Sequence, residues 1–259
     1  MRDPETNNIT RAFFVEKNMK QETKQKFKTI GVLGGMGHCA SAHFYQLLLM
    51  SAQEKLKAVQ DDDYPQIIIN SIALEGGTEH GMEKNVLILK QLINGLKTLE
   101  KAGADFLVIP CNSVHNSINE LRKNVQIPIL SIIEKVKKTV INSGCKKVLL
   151  LSSETTSKYN LYQDLLISGI QIVEPEVVLK KKVTKLILSV MGNKNINEFK
   201  KPVIDEINAL YKSKKIDAVI LGCTELPVAI TQEDVKAKAF DSLKILADSG
   251  IIFSKGLKI

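Results

Sequence analysis

The sequence predicts an α/β fold of two similar domains, each a parallel sheet flanked by helices, with the active site in the cleft between them. Three observations predict it. Short β-branched runs alternate with longer segments of helical period from Thr29 onward, the pattern of parallel strands covered on both faces. The alternation falls into two series of similar length that meet near Ile132 to Glu134. Each series holds one strand-like run that ends in a cysteine and a short polar residue: Phe106-Leu107-Val108-Ile109 leads to Pro110-Cys111-Asn112-Ser113, and Ala218-Val219-Ile220-Leu221 leads to Gly222-Cys223-Thr224-Glu225. Open α/β sheets bind ligands beyond the carboxyl ends of their strands, so two cysteines in matching settings suggest two halves of one site.

Residues 1–28 alternate charged and polar groups around one apolar cluster, Ala12 to Val15, and are expected to form a mobile extension. Thr29 to Leu33 reads as a buried strand, Gly34-Gly35-Met36-Gly37 as a tight turn and His38 to about Val59 as a helix. Gln66 to Asn70 is a β-branched strand, and Leu74 to Gly81 a loop. Met82, Val86, Leu89, Ile93, Leu96 and Leu99 recur at steps of three and four, which gives a helix with one apolar face; Gly103 ends it. The Cys111 strand follows from Asp105, then a helix to Lys123, the strand Ile127 to Leu130 and a helix to Asn142. The second series opens with Lys146 to Leu151, a loop over Ser152 to Ser157 and a helix to Ser168. It continues with the strand Ile170 to Val173, two helical stretches and the Cys223 strand. The expected division is a first domain over 29–133, completed by 241–259 crossing back, and a second over 134–240.

Composition narrows the function. The chain has 259 residues, 44% hydrophobic and 25% charged, enough for a full core, and no apolar run approaches the ~20 residues of a membrane helix. Neither a signal peptide nor a membrane partner is expected. Seven Lys/Arg against four Asp/Glu in residues 1–28 account for part of the net charge of +8, and the rest is scattered without interleaved aromatics, so no nucleic-acid partner is expected. Four cysteines (Cys39, Cys111, Cys145, Cys223) in a chain of this size fit reduced thiols in a cytoplasmic protein. There is no CxxC, and the four histidines stand at no zinc-finger spacing, so no metal is expected. The glycines Gly31, Gly34, Gly35 and Gly37 do not form GxGxxG, which argues against a dinucleotide.

A cysteine at a strand end is commonly a small buried hydrophobe, but here two occur in parallel settings. Each should stand near a helix N-terminus, which lowers a thiol pKa; about 7 is the expected value, low enough to exchange protons near neutral pH.

The strings Gly31 to Gly37 (GVLGGMG), Pro110 to His115 (PCNSVH) and Leu221 to Pro227 (LGCTELP) resemble the signatures of the cofactor-independent aspartate/glutamate racemases, and the resemblance extends from Thr29 to the C-terminus. It implies a racemase that interconverts L- and D-amino acids without pyridoxal phosphate, one cysteine removing the α-proton while the other protonates the opposite face. Cys111 and Cys223 would be the catalytic pair. The substrate-binding positions that the resemblance implies are Met36, Asn70, Asn112, Ser113, Ser153, Thr156, Lys194 and Thr224, with His115 and Glu225 in support. Asn112, Ser113 and Thr224 would hold the α-carboxylate, and Lys194 would face a distal carboxylate. Plainer readings stand beside these: a helix cap for Ser153 and Thr156, a solvated Lys194, a structural His115. Cys39 and Cys145 default to structural roles, although Cys39 lies near the glycine turn. A homodimer is a further expectation.

The same scaffold could host hydantoin racemisation, decarboxylation or maleate isomerisation, and a non-catalytic binding protein is the alternative outside enzymology. Aspartate-type members carry an arginine where this chain has Gly77, so the clamp on a distal carboxylate is expected to be missing unless His80 restores it. The enzyme is therefore expected not to be a strict aspartate racemase and to accept glutamate or an uncharged amino acid comparably well.

Overall fold

The computed structural model describes residues 27–77 and 86–257. The expected mobile extension lies outside the described residues except for Phe27, which is buried, and Lys28, whose N–H donates to the Ser254 carbonyl at 2.8 Å. His80 and Met82 also lie outside them.

The first half runs β1 (Ile30–Gly34), α1 (His38–Leu56), β2 (Ile67–Ser71), α2 (Val86–Lys101), β3 (Phe106–Val108), a 3₁₀ turn (Ser113–Ser117), α3 (Ile118–Arg122), β4 (Ile129–Leu130) and α4 (Ile132–Asn142). Its sheet is parallel with order β2-β1-β3-β4, Ile30 standing opposite both Ile67 and Phe106. The second half runs β5 (Lys147–Ser152), α5 (Glu154–Lys158), a 3₁₀ stretch (Gln163–Ser168), β6 (Gln171–Val173), α6 (Val177–Met191), α7 (Ile196–Lys212), β7 (Ala218–Gly222), α8 (Leu226–Ala229), β8 (Lys238–Asp241) and α9 (Ser242–Ser254). Its sheet, β6-β5-β7-β8, is also parallel.

Strand β8 departs from the sequence reading, which placed nothing there. Lys238-Ala239-Phe240-Asp241 has no β-branched residue, and only Phe240 is buried, so its strand character comes from pairing with β7 rather than from its own composition. The expected helix before Ser168 is a 3₁₀ stretch, and the expected Ser152–Ser157 loop is the end of β5 followed by α5.

Alternation along the strands builds the layers. Ile30 and Val32 join Val148, Leu150, Ala218 and Ile220 in one apolar cluster shared by the two sheets, together with Phe44, Leu48, Val136, Leu246 and Ile251 from α1, α4 and α9. Leu33, Leu107 and Ile109 point to the other face of the first sheet and meet Leu92, Leu96 and Leu99 of α2. Leu149, Leu151, Val219 and Leu221 do the same in the second sheet against Leu186, Ile187, Val203 and Ile207 of α6 and α7. Both sheets are therefore covered on both faces, as all-parallel sheets require. Each fully buried Leu or Ile side chain contributes ~1.5–3 kcal/mol, which makes the shared layer a strong tie between the halves. Helix α9 follows β8 of the second sheet and packs on α1 and α4. Lys244 on α9 pairs with Glu54 of α1 and with Asp248, each at 2.6 Å.

Candidate active site

The two cysteines leave equivalent places, since β3 and β7 are each the third strand in their sheet's order. After β3 the chain passes Ile109 and Pro110. Pro110 has no N–H to offer a ladder, and the Cys111 N–H turns back to the Ile109 carbonyl at 2.8 Å. Cys111 is thereby swung to the end of the sheet, with the amides of Ser113 and Val114 donating to its sulfur. Cys223 follows β7 directly, and its Sγ donates to Glu225 Oε2 at 3.0 Å.

Both sulfurs face one cavity of about 190 Å³. Its polar lining comes from Asn112, Ser113, Ser153, Thr224 and Glu225, and one wall from the turn Gly35-Met36-Gly37 with His38. That turn is shaped by contact. Gly35 has φ +99° and passes so close to the backbone of Ile72 that a Cβ there would overlap the Ile72 carbonyl oxygen, so only glycine fits. Ser41 secures it, accepting from the Gly35 N–H at 2.9 Å and donating to the Gly37 carbonyl at 2.8 Å. The Gly37 N–H donates across the cleft to Glu225 Oε1 at 3.2 Å, and Thr224 Oγ1 donates to Oε2 at 3.3 Å. Glu225 thus links the glycine turn of the first half to the second cysteine.

Asn112 is oriented by the second half. Tyr162 donates its buried hydroxyl to Asn112 Oδ1 at 2.6 Å, and Asn112 Nδ2 donates to Ser242 Oγ at 3.4 Å. Ser242 in turn donates to the Leu221 carbonyl at 2.8 Å, at the end of the Cys223 strand. Ser113 Oγ lies 2.8 Å from Ser153 Oγ, and Ser153 lies 3.2 Å from Thr156 Oγ1, a chain of hydroxyls that crosses between the halves.

Four of the residues proposed from sequence do not line the cavity. Asn70 donates to the Gly95 carbonyl at 3.1 Å and so faces α2. Thr156 is fully buried behind Ser153, whose Oγ caps α5 by accepting from the Thr156 N–H at 3.4 Å, so the helix-cap reading describes this pair. Lys194 is exposed, because α6 ends at Met191 and the left-handed Asn193 and Asn195 carry the chain outward; Ile187 and Met191 are what α6 brings to the cavity. His115 is buried beneath the Cys111 turn. Its Nε2 accepts from the Ile132 N–H at 3.3 Å, which leaves Nδ1 to donate to the Cys111 carbonyl at 2.8 Å and fixes the tautomer. Burial pushes the His115 pKa down to about 4, so it is a neutral clip between Cys111 and the start of α4. Cys39 packs beside the second-sheet cluster, and Cys145 lies beside the shared layer.

The expected acidity of the thiols is also corrected. Burial pushes Cys111 up to about 12, with the negative charge of Glu225 adding to it, while the Val114 and Ser113 amides pull the other way. Cys223 is raised well above its ordinary value, first by burial, then by the charge and hydrogen bond of Glu225. The helices that were to lower these values are a 3₁₀ turn and a four-residue helix, too short to offset desolvation.

Tyr162, Ser242, Leu74, Ile187 and Met191 were missed from sequence. Only Ile187 and Met191 carried a signal, as apolar positions one helical turn apart near the end of α6. Among the described residues no cluster of three or more His, Cys, Asp or Glu could hold a metal.

Two parallel α/β sheets that present one cysteine each to a shared polar cavity define a class of two-half cleft proteins, and the sequence comparisons give that class its family. The chain belongs to the Asp/Glu/Hydantoin racemase family, whose sequence profile matches residues 33–250. It is 27% identical over 225 residues to the broad specificity amino-acid racemase RacX of Bacillus subtilis (strain 168), covering 86% of this chain and 96% of the relative. Among solved structures it resembles an aspartate racemase homologue from Pyrococcus horikoshii OT3, with TM-score 0.74 and 31% identity over 88% of this chain and 99% of that one. It also resembles the Picrophilus torridus aspartate racemase, with TM-score 0.77 and 27% identity over 90% and 96% of the two chains.

Proposed function

We propose that the protein interconverts the L- and D-enantiomers of an amino acid, with Cys111 and Cys223 as the two proton carriers and no pyridoxal phosphate. The supporting observation is that both thiols face one small cavity from equivalent strand ends, with the hydroxyls and amide of Asn112, Ser113, Ser153 and Thr224 between them. In the reaction one cysteine, as thiolate, takes the α-proton and becomes a thiol. The other, as thiol, gives its proton to the opposite face and becomes the thiolate. The electron pair left on the α-carbon spreads into the carboxylate, where these fixed donors stabilise it.

The raised thiol pKa values fit a resting enzyme that keeps both cysteines protonated. An amino-acid ammonium held about 4 Å from a sulfur contributes ~4 kcal/mol at an effective dielectric of ~20, or ~3 pK units. That would bring Cys111 from about 12 toward ~9, so the substrate helps to make its base, the thiol proton leaving to solvent as the substrate binds. Lys194 and Asn70 have no part in this reading.

The reading includes a reducing cytosol for the four free cysteines, a homodimer as the assembly, and a chain divided into 29–133 with 241–259, and 134–240. Among the described residues no helix is long and apolar enough to cross a membrane. The test is chiral chromatography of single L-amino acids incubated with the protein. Appearance of the D-enantiomer without added cofactor is expected, and failure with every common amino acid would contradict the proposal.

A further inference from the structure

The cavity has two kinds of lining. One is the thiols with the polar groups of Asn112, Ser113, Ser153, Thr224 and Glu225, which offer donors to an α-carboxylate and acceptors to an ammonium. Apart from His38 and the glycines Gly35, Gly37 and Gly77, the rest of the described lining is apolar: Leu74 from the loop after β2, Met36 from the glycine turn, and Ile187 and Met191 from α6. Met36 and Ile187 are buried in the core clusters of their own halves, which holds that part of the wall in place, while Leu74 is half-buried and Met191 lies at the exposed end of α6.

No lysine or arginine is among the described lining residues. Besides the thiols, the ionisable groups there are Glu225, whose negative charge already raises both cysteines, and His38, an exposed residue 3.4 Å from Ser71 Oγ at the rim. A carboxylate side chain on the substrate would lose water against Leu74, Ile187 and Met191 and, among the described residues, gain no buried cation in return. A leucine or methionine side chain would meet matched apolar surface. Size cannot make this choice, because leucine and aspartate contain the same number of non-hydrogen atoms and branch at the same carbon.

We infer that this cavity selects amino acids with an apolar side chain of leucine or methionine size over aspartate and glutamate, and that Leu74, Ile187 and Met191 are the residues that set the preference. The inference rests on the racemase reading for its turnover test and on the cavity wall for its binding test. A pocket of this kind distinguishes substrates by about 10–200-fold for each apolar group it accommodates.

The experiment follows loss of the α-proton signal of L-leucine, L-methionine, L-aspartate and L-glutamate in deuterated buffer, with kcat/KM for each. Leucine or methionine should exceed aspartate by at least about tenfold. Met191→Arg, at an exposed helix end that tolerates the change, should move the ratio at least about tenfold toward aspartate. Faster turnover of aspartate than of leucine, or an unchanged ratio in Met191→Arg, would overturn the inference and leave the racemase reading standing. If no amino acid exchanges, the racemase reading fails instead, and protection of Cys111 from iodoacetamide decides the wall. Leucine protecting at lower concentration than aspartate supports it; equal protection, stronger protection by aspartate, or none overturns it.

Discussion

The Cys111 and Cys223 segments occupy the same place in their sheets and meet different surroundings. Each cysteine follows the third strand in order and is buried at the end of it. Cys111 lies under the amides of Ser113 and Val114, with His115 clipping its carbonyl to α4. Cys223 instead donates a hydrogen bond to the Glu225 carboxylate two residues on, and its sulfur accepts from the Glu225 amide. The difference teaches that sheet topology places the two thiols and burial raises both, whereas the two or three residues after each strand give each sulfur its own hydrogen-bond partners. Both sulfurs accept from backbone amides, and only Cys223 also hydrogen-bonds the carboxylate that raises it.

The largest expected effect tests whether the pair is needed at all. Cys111→Ala and Cys223→Ala should each lower racemisation by about 10²–10⁴-fold, the usual worth of a positioned acid or base, as read by chiral chromatography. Near-normal turnover in either would break the equivalence of the two strand ends.

The next effect separates the surroundings. Glu225→Gln keeps an acceptor for the Gly37 N–H but removes the charge that raises both thiols, so Cys223 should ionise at lower pH and alkylate faster at a given pH, about tenfold per pK unit. Cys111, which feels Glu225 only through its charge, should gain less. Site-resolved mass spectrometry of iodoacetamide labelling measures both. Equal gains would mean that the hydrogen bond to Cys223 is unimportant.

Two smaller effects appear in stability. The Cys111 pKa is raised on folding, so its contribution is complete below the unfolded value near 9 and is lost as pH rises toward about 12, to a limit of about 4 kcal/mol. Urea unfolding of Cys111→Ala should show a shallower decline over that window than the parent. His115 is lowered to about 4 on folding, so its contribution is complete above its unfolded value near 6.5 and is lost as pH falls to about 4, to a limit of about 3 kcal/mol. His115→Gln should flatten that acid limb. An unchanged limb would show that the clip beside Cys111 does not stay neutral.

The comparison also shows what the residues could disclose in advance. The two sheets were legible because strands buried on both faces must be continuous apolar runs, and Ile30 to Leu33, Phe106 to Ile109 and Ala218 to Leu221 are such runs. Strand β8 was not, since Lys238 to Asp241 borrows its conformation from β7. The cavity residues next to the cysteines were legible because they adjoin the strand ends. Lys194 is exposed between the left-handed Asn193 and Asn195 and does not line the cavity, and a positional match does not register such a turn. Tyr162 was missed because it emerges from an irregular segment with no period to mark it, yet it orients Asn112 from the other half. The direction of the thiol shifts was misread because a helix start can be guessed from sequence, whereas complete burial of a sulfur depends on both halves meeting around it.

The central claim, that two thiols on opposite faces share one proton transfer, is tested most directly by where solvent deuterium goes. An L-amino acid that the protein turns over is incubated in deuterated water, the reaction is stopped at low conversion, and the enantiomers are separated and weighed by mass spectrometry. Two bases predict a D-product carrying deuterium at the α-carbon while the recovered L-substrate still carries protium. Equal deuterium in both enantiomers, or protium retained in the product, would mean that a single group serves both faces and would contradict the account.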